Sequence, residues 1–175
     1  MTATDQSLFT GIKLLLLDVD GVLTDGTISY TGADLESKTF NVKDGLGIRM
    51  LISAGIQVAV VTGRSSAALV RRCRELGITP VYEGIGDKGV LLYDILKATS
   101  VDSPLAVAFI GDDLPDIPLL KKVGLPIAVA DAHPEVKRAA RIVTSAGGGR
   151  GAVREICELI LKGRGLWHRA TAAYL

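Results

Sequence analysis

Three carboxylates follow a run of four leucines in the stretch LLLLDVDGVLTDG, residues 14–26. Asp18 and Asp20 are two positions apart, so an extended backbone would direct both side chains to the same face. A charge at the end of a buried strand is costly unless a partner compensates it. Gly21 allows a sharp turn there, in which backbone N–H groups can approach an anion. The stretch therefore predicts that a cationic partner lies beside Asp18 and Asp20.

Similar polar groups follow two further apolar runs. The run 56–61 is followed by Thr62, Gly63 and Arg64. The run 105–110 is followed by Asp112, Asp113 and Asp116. Between these two runs, Lys88 begins a helical pattern. If these runs are parallel strands, their carboxyl ends meet at one edge of the sheet, where ligands bind in such folds. Carboxylates beside a hydroxyl and an ammonium group predict a Mg²⁺ ion together with a phosphate.

Short apolar runs alternate with amphipathic segments along the chain, which predicts an α/β fold with a doubly wound, Rossmann-like parallel sheet. The predicted strands are 12–17, 56–61 and 105–110, with shorter ones at 79–82, 126–129 and 141–143. The predicted helices are 47–54, 66–76, 88–99, 114–123, 134–140 and 152–162. Apolar side chains at helical spacing support the helices.

One segment interrupts this alternation and predicts a small β-hairpin flap at about residues 24–42. Its arms, 27–30 and 37–40, flank the turn-like Thr31–Asp34. We expect an N-terminal extension at 1–10, one domain at 11–162, and a tail at 163–175 that lacks helical periodicity and is mobile. A flap of this size is too small to be a separate cap domain.

The bulk composition excludes several classes of function. The 175 residues are 48% hydrophobic and 22% charged, with a formal net charge of +1, which gives no case for nucleic acid or a membrane as partner. The start of the chain has no basic flank and no long apolar core, so no secretion signal is expected. Cys73 and Cys157 fall in helical patterns and predict small buried side chains in a reducing, cytoplasmic compartment.

The chain resembles the haloacid dehalogenase superfamily of phosphotransferases over roughly residues 10–162. The motifs DVDGVLTDG (18–26), VVTGR (60–64), Lys88 and GDDLPD (111–116) occur in the order of that family. FNVKDGLGIRM (40–50) and AVADAHPEVKRAA (128–140) are similar to the cap-less subclass that hydrolyses sugar-acid phosphates. This resemblance implies a Mg²⁺-dependent phosphatase of an eight-carbon sugar-acid 8-phosphate in lipopolysaccharide precursor synthesis. Relatives that act on nine-carbon, sialic-type sugar 9-phosphates share much of the pattern.

The resemblance also implies a role for each candidate residue. Asp18 is the expected nucleophile, which forms an aspartyl-phosphate, and Asp20 the general acid and base. The expected ligands of Mg²⁺ are Asp18, the backbone carbonyl of Asp20, and Asp112. Thr62 and Lys88 are expected to hold phosphoryl oxygens, and Asp113 and Asp116 to orient the metal site and Lys88 from outside it.

Substrate recognition is expected from Gly63, Arg64 and Arg72, since arginine can bind the carboxylate of a sugar acid through two parallel hydrogen bonds. A chain without its own cap leaves an open site, and the resemblance implies a homotetramer in which neighbouring subunits complete it. The segment 166–169 in the tail is a weaker candidate for covering an adjacent site.

Simpler interpretations stay open for several of these residues. Asp25-Gly26 is favoured as a plain turn, His133 as a loop residue before a helix that starts at Pro134, and Asp44 as a helix-start residue. Thr62 could instead be an N-cap, Lys88 a solvated helix residue and Arg72 a surface residue. The glycines 147–149 could form a flexible joint or allow close approach of a neighbouring subunit.

A different class of function also stays open, that of a phosphoacceptor signalling module. Such modules surround Mg²⁺ with an acidic cluster, a hydroxyl and a lysine, and this chain has the same residue types. Their phosphorylated aspartate follows a later strand and their lysine comes near the end, whereas here an acidic motif, GDDLPD, follows Lys88. The order of the motifs therefore favours the phosphatase.

Overall fold

The computed structural model describes residues 7–31 and 36–175, which build an α/β fold around one parallel sheet. The strands are β1 Leu14–Leu17, β2 Ser29–Tyr30, β3 Glu36–Ser37, β4 Gln57–Val61, β5 Val81–Tyr82, β6 Val107–Gly111, β7 Leu125–Ala128 and β8 Ile142–Val143. Six of them form the sheet in the order β5-β4-β1-β6-β7-β8, and every neighbouring pair is parallel. The chain winds from β1 to one edge and then returns to the other side, which confirms the predicted doubly wound sheet.

The four leucines of β1 form the centre of the core. None of their side chains is accessible to solvent, so both faces of the sheet are covered at β1, since successive side chains point to opposite faces. β1 is also hydrogen-bonded on both sides, to β4 and β6. Burial of a leucine side chain contributes about 1.5–3 kcal/mol. Leu17 is level with both Val60 and Ile110. The first residues after these three strands therefore emerge side by side at one edge of the sheet.

Seven helices are described between and after the strands. They are α1 Val42–Ser53, α2 Ala67–Leu76, α3 Leu92–Thr99, α4 Ile117–Leu120, α5 Pro134–Ala139, α6 Ala152–Gly163 and α7 Trp167–Thr171. Short 3₁₀ turns precede α3 at Lys88–Leu91 and α4 at Leu114–Asp116. Among the described residues no helix is long and apolar enough to cross a membrane.

Helix α1 begins five residues before the predicted start at Gly47. The side chain of Asn41 accepts a hydrogen bond from the Lys43 N–H at 2.8 Å and caps the helix there. The prediction started at Gly47 because periodicity alone does not detect a capping residue, and capping fixes where a helix starts.

The predicted hairpin is present and short. Strands β2 and β3 pair in antiparallel fashion, with Tyr30 opposite Glu36. The second arm lies at Glu36–Ser37 rather than at 37–40, and most of the predicted turn falls outside the described residues.

The expectation of a mobile, non-helical tail after residue 162 is wrong for Trp167–Thr171, which form α7. This helix packs against α1 and α6, and Thr171 is buried. The Lys162 ammonium group lies 4.6 Å from the centroid of the Trp167 ring, a cation–π contact that holds the segment to α6. Five residues are too few for a periodic pattern, so tertiary contacts hold this helix.

Asp44 joins the two longest helices, α1 and α6. It lies in the first turn of α1, as expected, but its buried Oδ1 accepts a hydrogen bond from the Arg154 N–H at 2.7 Å. Burial raises the pKa of Asp44, and its Oδ2 has no hydrogen-bond partner among the described atoms. Asp44 therefore caps α6 from a neighbouring helix, although α6 has its own N-cap position at Gly151.

We expect Asp44→Ala to lower the free energy of unfolding by about 1–2 kcal/mol, because the first turn of α6 loses its acceptor. Urea denaturation measures this change. Asp44→Asn keeps a carbonyl oxygen and should retain most of the stability. Asp94 lies exposed in the first turn of α3, so Asp94→Ala is the matched control and should change stability by less than about 0.5 kcal/mol. Equal losses in Asp44→Ala and Asp94→Ala would contradict the capping role.

Candidate active site

A cavity of about 340 Å³ opens at the carboxyl ends of β1, β4 and β6. It collects most of the polar residues that the sequence singled out. The lining consists of Asp18, Asp20, Gly26, Thr62, Gly63, Arg64, Ile85, Lys88, Asp112, Asp113, Pro115 and Asp116. The predicted convergence of these strand ends is therefore present in the fold.

A buried ammonium group lies between two carboxylates at the floor of this cavity. The Nζ atom of Lys88 is 2.7 Å from Asp18 Oδ1 and 2.6 Å from Asp116 Oδ1. The Lys88 side chain is only 5% exposed, which contradicts the alternative of a solvated helix residue. Burial lowers the pKa of Lys88, but the two carboxylates outweigh this effect and raise it above its ordinary value. Lys88 is therefore a fixed cation beside Asp18.

Asp116 orients its neighbours. Its Oδ1 binds Lys88, and its Oδ2 accepts the backbone N–H of Asp112 at 2.9 Å and that of Asp113 at 3.4 Å. Gly111 leaves the space for this carboxylate, because a Cβ atom at Gly111 would lie 2.6 Å from it. Asp113 is exposed and caps the 3₁₀ turn that carries Asp116.

Asp112 faces Asp18 across the mouth of the cavity, where the two carboxylates could hold a divalent cation. Single oxygens of Asp18, Asp112 and Asp116 lie within 4.8 Å of one another. Asp112 rests against Gly21, whose added Cβ would lie 2.0 Å from Asp112 Oδ2 and whose φ is +86°. Carboxylate oxygens are the donors that Mg²⁺ prefers, so the donor set fits a hard divalent ion.

The pKa values of Asp18 and Asp112 show that negative charge is crowded at this place. Burial and the Asp116 charge raise the pKa of Asp18 to about 6, although Lys88 lowers it. Burial, with the charges of Asp18 and Asp116, raises the pKa of Asp112 to about 8. Closely spaced carboxylates cannot all ionise without a compensating cation, which is what a bound metal would supply.

Asp20 lies in a separate network with the hairpin and Arg64. The Nζ atom of Lys38 contacts Asp20 Oδ1 and lies 2.8 Å from Glu36 Oε1. Arg64 Nη2 donates to Glu36 Oε2 at 2.6 Å, and Arg64 Nε lies 3.8 Å from Asp20 Oδ2. The sequence reasoning missed Glu36 and Lys38. Their spacing of two in a hairpin arm, which places both on one face, is the signal that could have found them.

Thr62 and Gly63 lie on the wall of the cavity opposite Asp112. Thr62 is buried, and its backbone N–H donates to the Tyr82 carbonyl at 2.9 Å. Its hydroxyl oxygen accepts the Arg64 N–H at 3.3 Å. Thr62 is not the N-cap of α2, since that position belongs to Ser66.

Arg72 does not line this cavity. It lines a neighbouring one of about 320 Å³, together with Lys38, Phe40, Val42, Ala68, Arg71 and Glu75. Arg72 Nη1 lies 3.5 Å from Glu75 Oε2. The structure therefore does not place Arg72 where it could contact a ligand bound at Asp18 of the same chain.

Comparison with known proteins agrees with the motif order. A family model described as haloacid dehalogenase-like hydrolase matches residues 81–154. The 3-deoxy-D-manno-octulosonate 8-phosphate phosphatase of Escherichia coli K12 is 49% identical over 154 residues, which is 88% of this chain and 81% of the relative. The chain belongs to the haloacid dehalogenase-like hydrolases, in the 3-deoxy-D-manno-octulosonate 8-phosphate phosphatase family.

Solved structures of this phosphatase family superimpose on the whole fold. A crystal structure from Yersinia pestis has a TM-score of 0.91 and 47% identity, and it covers 95% of this chain and 90% of that one. A structure from Moraxella catarrhalis, solved in complex with a magnesium ion, a phosphate ion and a KDO molecule, has a TM-score of 0.94 and 38% identity. It covers 100% of both chains.

The glycine-rich loop 147–149 packs against the backbone of the phosphatase-family motif at 18–26. The Gly149 N–H donates to the Val22 carbonyl at 2.9 Å, and the Gly148 N–H donates to Asp131 Oδ1 at the same distance. A Cβ atom at Gly148 would lie 1.8 Å from the carbonyl oxygen of Gly21. The loop is therefore a close packing element within one chain rather than a loose joint.

The plain structural interpretations of Asp25 and His133 agree with the geometry. Asp25 is exposed, and its Oδ1 accepts the Thr27 N–H at 3.1 Å in a turn. His133 Nδ1 accepts the Glu135 N–H at 3.2 Å, as the N-cap of α5. The His133 N–H also donates to the Asp112 carbonyl at 2.8 Å, which fixes the backbone beside the acidic cluster.

We expect Gly148→Ala to lower the free energy of unfolding by about 1–3 kcal/mol, because the added methyl group overlaps the backbone of Gly21. Chemical denaturation measures the change. Gly11 is the matched control, since a Cβ atom there would meet nothing within 4 Å. A Gly148→Ala protein as stable as Gly11→Ala would show that the loop does not press on the 18–26 turn.

Proposed function

We propose that this protein hydrolyses 3-deoxy-D-manno-octulosonate 8-phosphate to the free sugar acid and phosphate, with Mg²⁺, as a step of lipopolysaccharide precursor synthesis. The observation that carries the proposal is the buried Asp18 carboxylate, 2.7 Å from Lys88 and facing Asp112 at the carboxyl end of β1. Relatives that bear this name are 49% identical over most of the chain.

Asp18, Asp112 and the backbone carbonyl of Asp20 are the proposed ligands of the magnesium ion. When bound, the ion supplies positive charge that allows an anionic carboxylate to approach an anionic phosphate. Asp116 is not a proposed ligand, because Lys88 binds one of its oxygens and backbone N–H groups bind the other.

The reaction then proceeds in two displacements on the chain's own residues. A carboxylate oxygen of Asp18 forms a bond to phosphorus while the bond from phosphorus to the sugar oxygen breaks, and Asp20 gives its proton to that oxygen. Asp20 next takes a proton from water, whose oxygen attacks phosphorus and releases Asp18. Lys88 and Thr62 hold the phosphoryl oxygens during both displacements.

Recognition of the sugar acid is proposed for Gly63, Arg64 and Arg72. Gly63 and Arg64 line the cavity of Asp18, and the Arg64 side chain is 42% exposed, so it is open to a ligand. Arg72 lines the adjacent cavity, and we propose that it acts on the site of a neighbouring subunit.

A homotetramer follows from this arrangement as a proposal. The described part of the hairpin is too small to close a 340 Å³ cavity. Ile28, Tyr30 and Val42 on and beside the hairpin are 43%, 69% and 78% exposed, which is apolar surface that another subunit could cover. We further propose that residues 11–162 are the catalytic domain. The two free, buried cysteines support a reducing, cytoplasmic setting.

The proposed reaction is tested by phosphate release with Mg²⁺ from a panel of eight- and nine-carbon sugar-acid phosphates. We expect the eight-carbon 8-phosphate to be the preferred substrate. Asp18→Asn should reduce turnover at least about 10³-fold, because it removes the nucleophile. Asp25→Asn, in the same loop but exposed, should leave turnover near that of the wild type.

Three outcomes would contradict parts of this proposal. Preference for a nine-carbon 9-phosphate would show that the substrate is the nine-carbon sugar phosphate instead of the eight-carbon one. A long-lived phospho-form of Asp18 without turnover of any sugar phosphate would indicate a phosphoacceptor module instead. Retained turnover in Asp18→Asn would overturn the nucleophile assignment.

Addition of Mg²⁺ should raise the melting temperature of the wild-type protein, because the ion binds only the folded arrangement of carboxylates. At a concentration a hundred times the dissociation constant, the stabilisation amounts to about 2.7 kcal/mol. Thermal melts with and without Mg²⁺ measure it. Asp112→Asn should lose most of the shift, and Asp25→Asn should keep it. A full shift in Asp112→Asn would place the ion elsewhere.

A further inference from the structure

The hairpin places the buried ammonium group of Lys38 against Asp20 of the same chain. Lys38 lies just beyond β3, and its side chain is only 3% exposed. Its Nζ atom contacts Asp20 Oδ1 and lies 2.8 Å from Glu36 Oε1. A lysine is rarely so buried unless it is paired with acidic groups, and here both partners are carboxylates.

Lys38 makes the two oxygens of Asp20 different. Oδ1 is held by the ammonium group, whereas Oδ2 is sheltered from solvent and has no hydrogen-bond partner among the described atoms. The Nε atom of Arg64 lies 3.8 Å from Oδ2, which is beyond hydrogen-bond distance. One oxygen of Asp20 is thus held by Lys38, and the other has no hydrogen-bond partner among the described atoms.

Glu36 holds Lys38 in this position, and Arg64 in turn holds Glu36. Glu36 Oε2 accepts from Arg64 Nη2 at 2.6 Å while Oε1 faces Lys38. With Asp20 ionised, as it must be to take a proton from water, two carboxylates and two cations form a network of zero net charge at the rim of the cavity. Such a closed set can be stable in a partly buried place, where a single charge would be costly. When Asp20 carries the proton that it gives to the leaving oxygen, the network has one net positive charge, which the phosphate of the substrate offsets.

We propose that Lys38 is a positioning residue for Asp20, which fixes Oδ1 and with it the orientation of the carboxyl group beside the leaving oxygen of the substrate. This inference rests on the proposed function, in which Asp20 protonates that oxygen. Correct placement matters for this step, because a general acid must lie within hydrogen-bond reach of the atom that it protonates. Glu36 supports Asp20 indirectly, through Lys38.

The test uses the dependence of the rate on the leaving group. Protonation by Asp20 matters most when the departing oxygen is strongly basic, and least when the departing group stabilises its own charge. The substrates are phenyl phosphates that differ in ring substituents, from p-nitrophenyl to unsubstituted phenyl, together with the sugar-acid 8-phosphate. The measured quantity is kcat/KM, which covers every step up to departure of the leaving group.

We expect Lys38→Met to lower kcat/KM at least about tenfold more for phenyl phosphate and the sugar-acid phosphate than for p-nitrophenyl phosphate, within the range of general acid catalysis. Asp20→Asn should show the same selectivity more strongly. Lys38→Arg keeps a cation that can bind both carboxylates and should restore the wild-type pattern in part. Lys43→Met removes the same charge from an exposed position of α1 and should leave the pattern unchanged.

Equal losses for all leaving groups in Lys38→Met would overturn the inference, since a merely structural role does not select for the basicity of the departing oxygen. Circular dichroism checks the fold of each variant. If Lys38→Met does not fold, Glu36→Gln replaces it, with a smaller shift expected in the same direction and a flat response contradicting the inference. Failure of the wild type to hydrolyse any of these phosphates would instead refute the proposed function.

Discussion

The ion triad of Lys88 with Asp18 and Asp116 is the interaction on which the rest of the site depends. Three carboxylates with single oxygens within 4.8 Å of one another would repel in the interior, and the Lys88 ammonium group beside two of them offsets part of this cost. Lys88 also binds Asp116, whose other oxygen orients the backbone that carries Asp112. The remaining excess of negative charge is what creates a place for a divalent cation.

This arrangement requires that β1, β4 and β6 end at the same edge of the sheet, and the register of the sheet fixes their ends there. Leu17 is level with Val60 and Ile110, so Asp18, Thr62 and Asp112 follow at one edge without any long loop. The fully buried leucines of β1 lock this register through packing on both sides. The stable core therefore contributes to catalysis, because it keeps the proposed nucleophile, Asp18, in a fixed position relative to Lys88 and Asp112.

The sequence could predict what depends on local pattern and on the order of strands. The parallel sheet, the convergence of Asp18, Thr62, Lys88 and Asp112, and the turn role of Asp25 all follow from such signals. The capping of α6 by Asp44 could not be predicted, because it joins residues 110 positions apart through one hydrogen bond. The brace of Gly148 against Gly21 depends likewise on a backbone approach that appears only after the chain has folded.

The network around Asp20 escaped prediction for a different reason, which is the register of the hairpin. The pairing of Tyr30 with Glu36 places both side chains on one face, and Lys38, two positions further, belongs to the same face. A slip by one residue would turn Glu36 and Lys38 away from Asp20 and Arg64. The arms of the hairpin are mostly polar and short, so hydrophobic alternation specifies this register only weakly. The charged contacts themselves then select it, and through them the position of Asp20 depends on how the hairpin pairs.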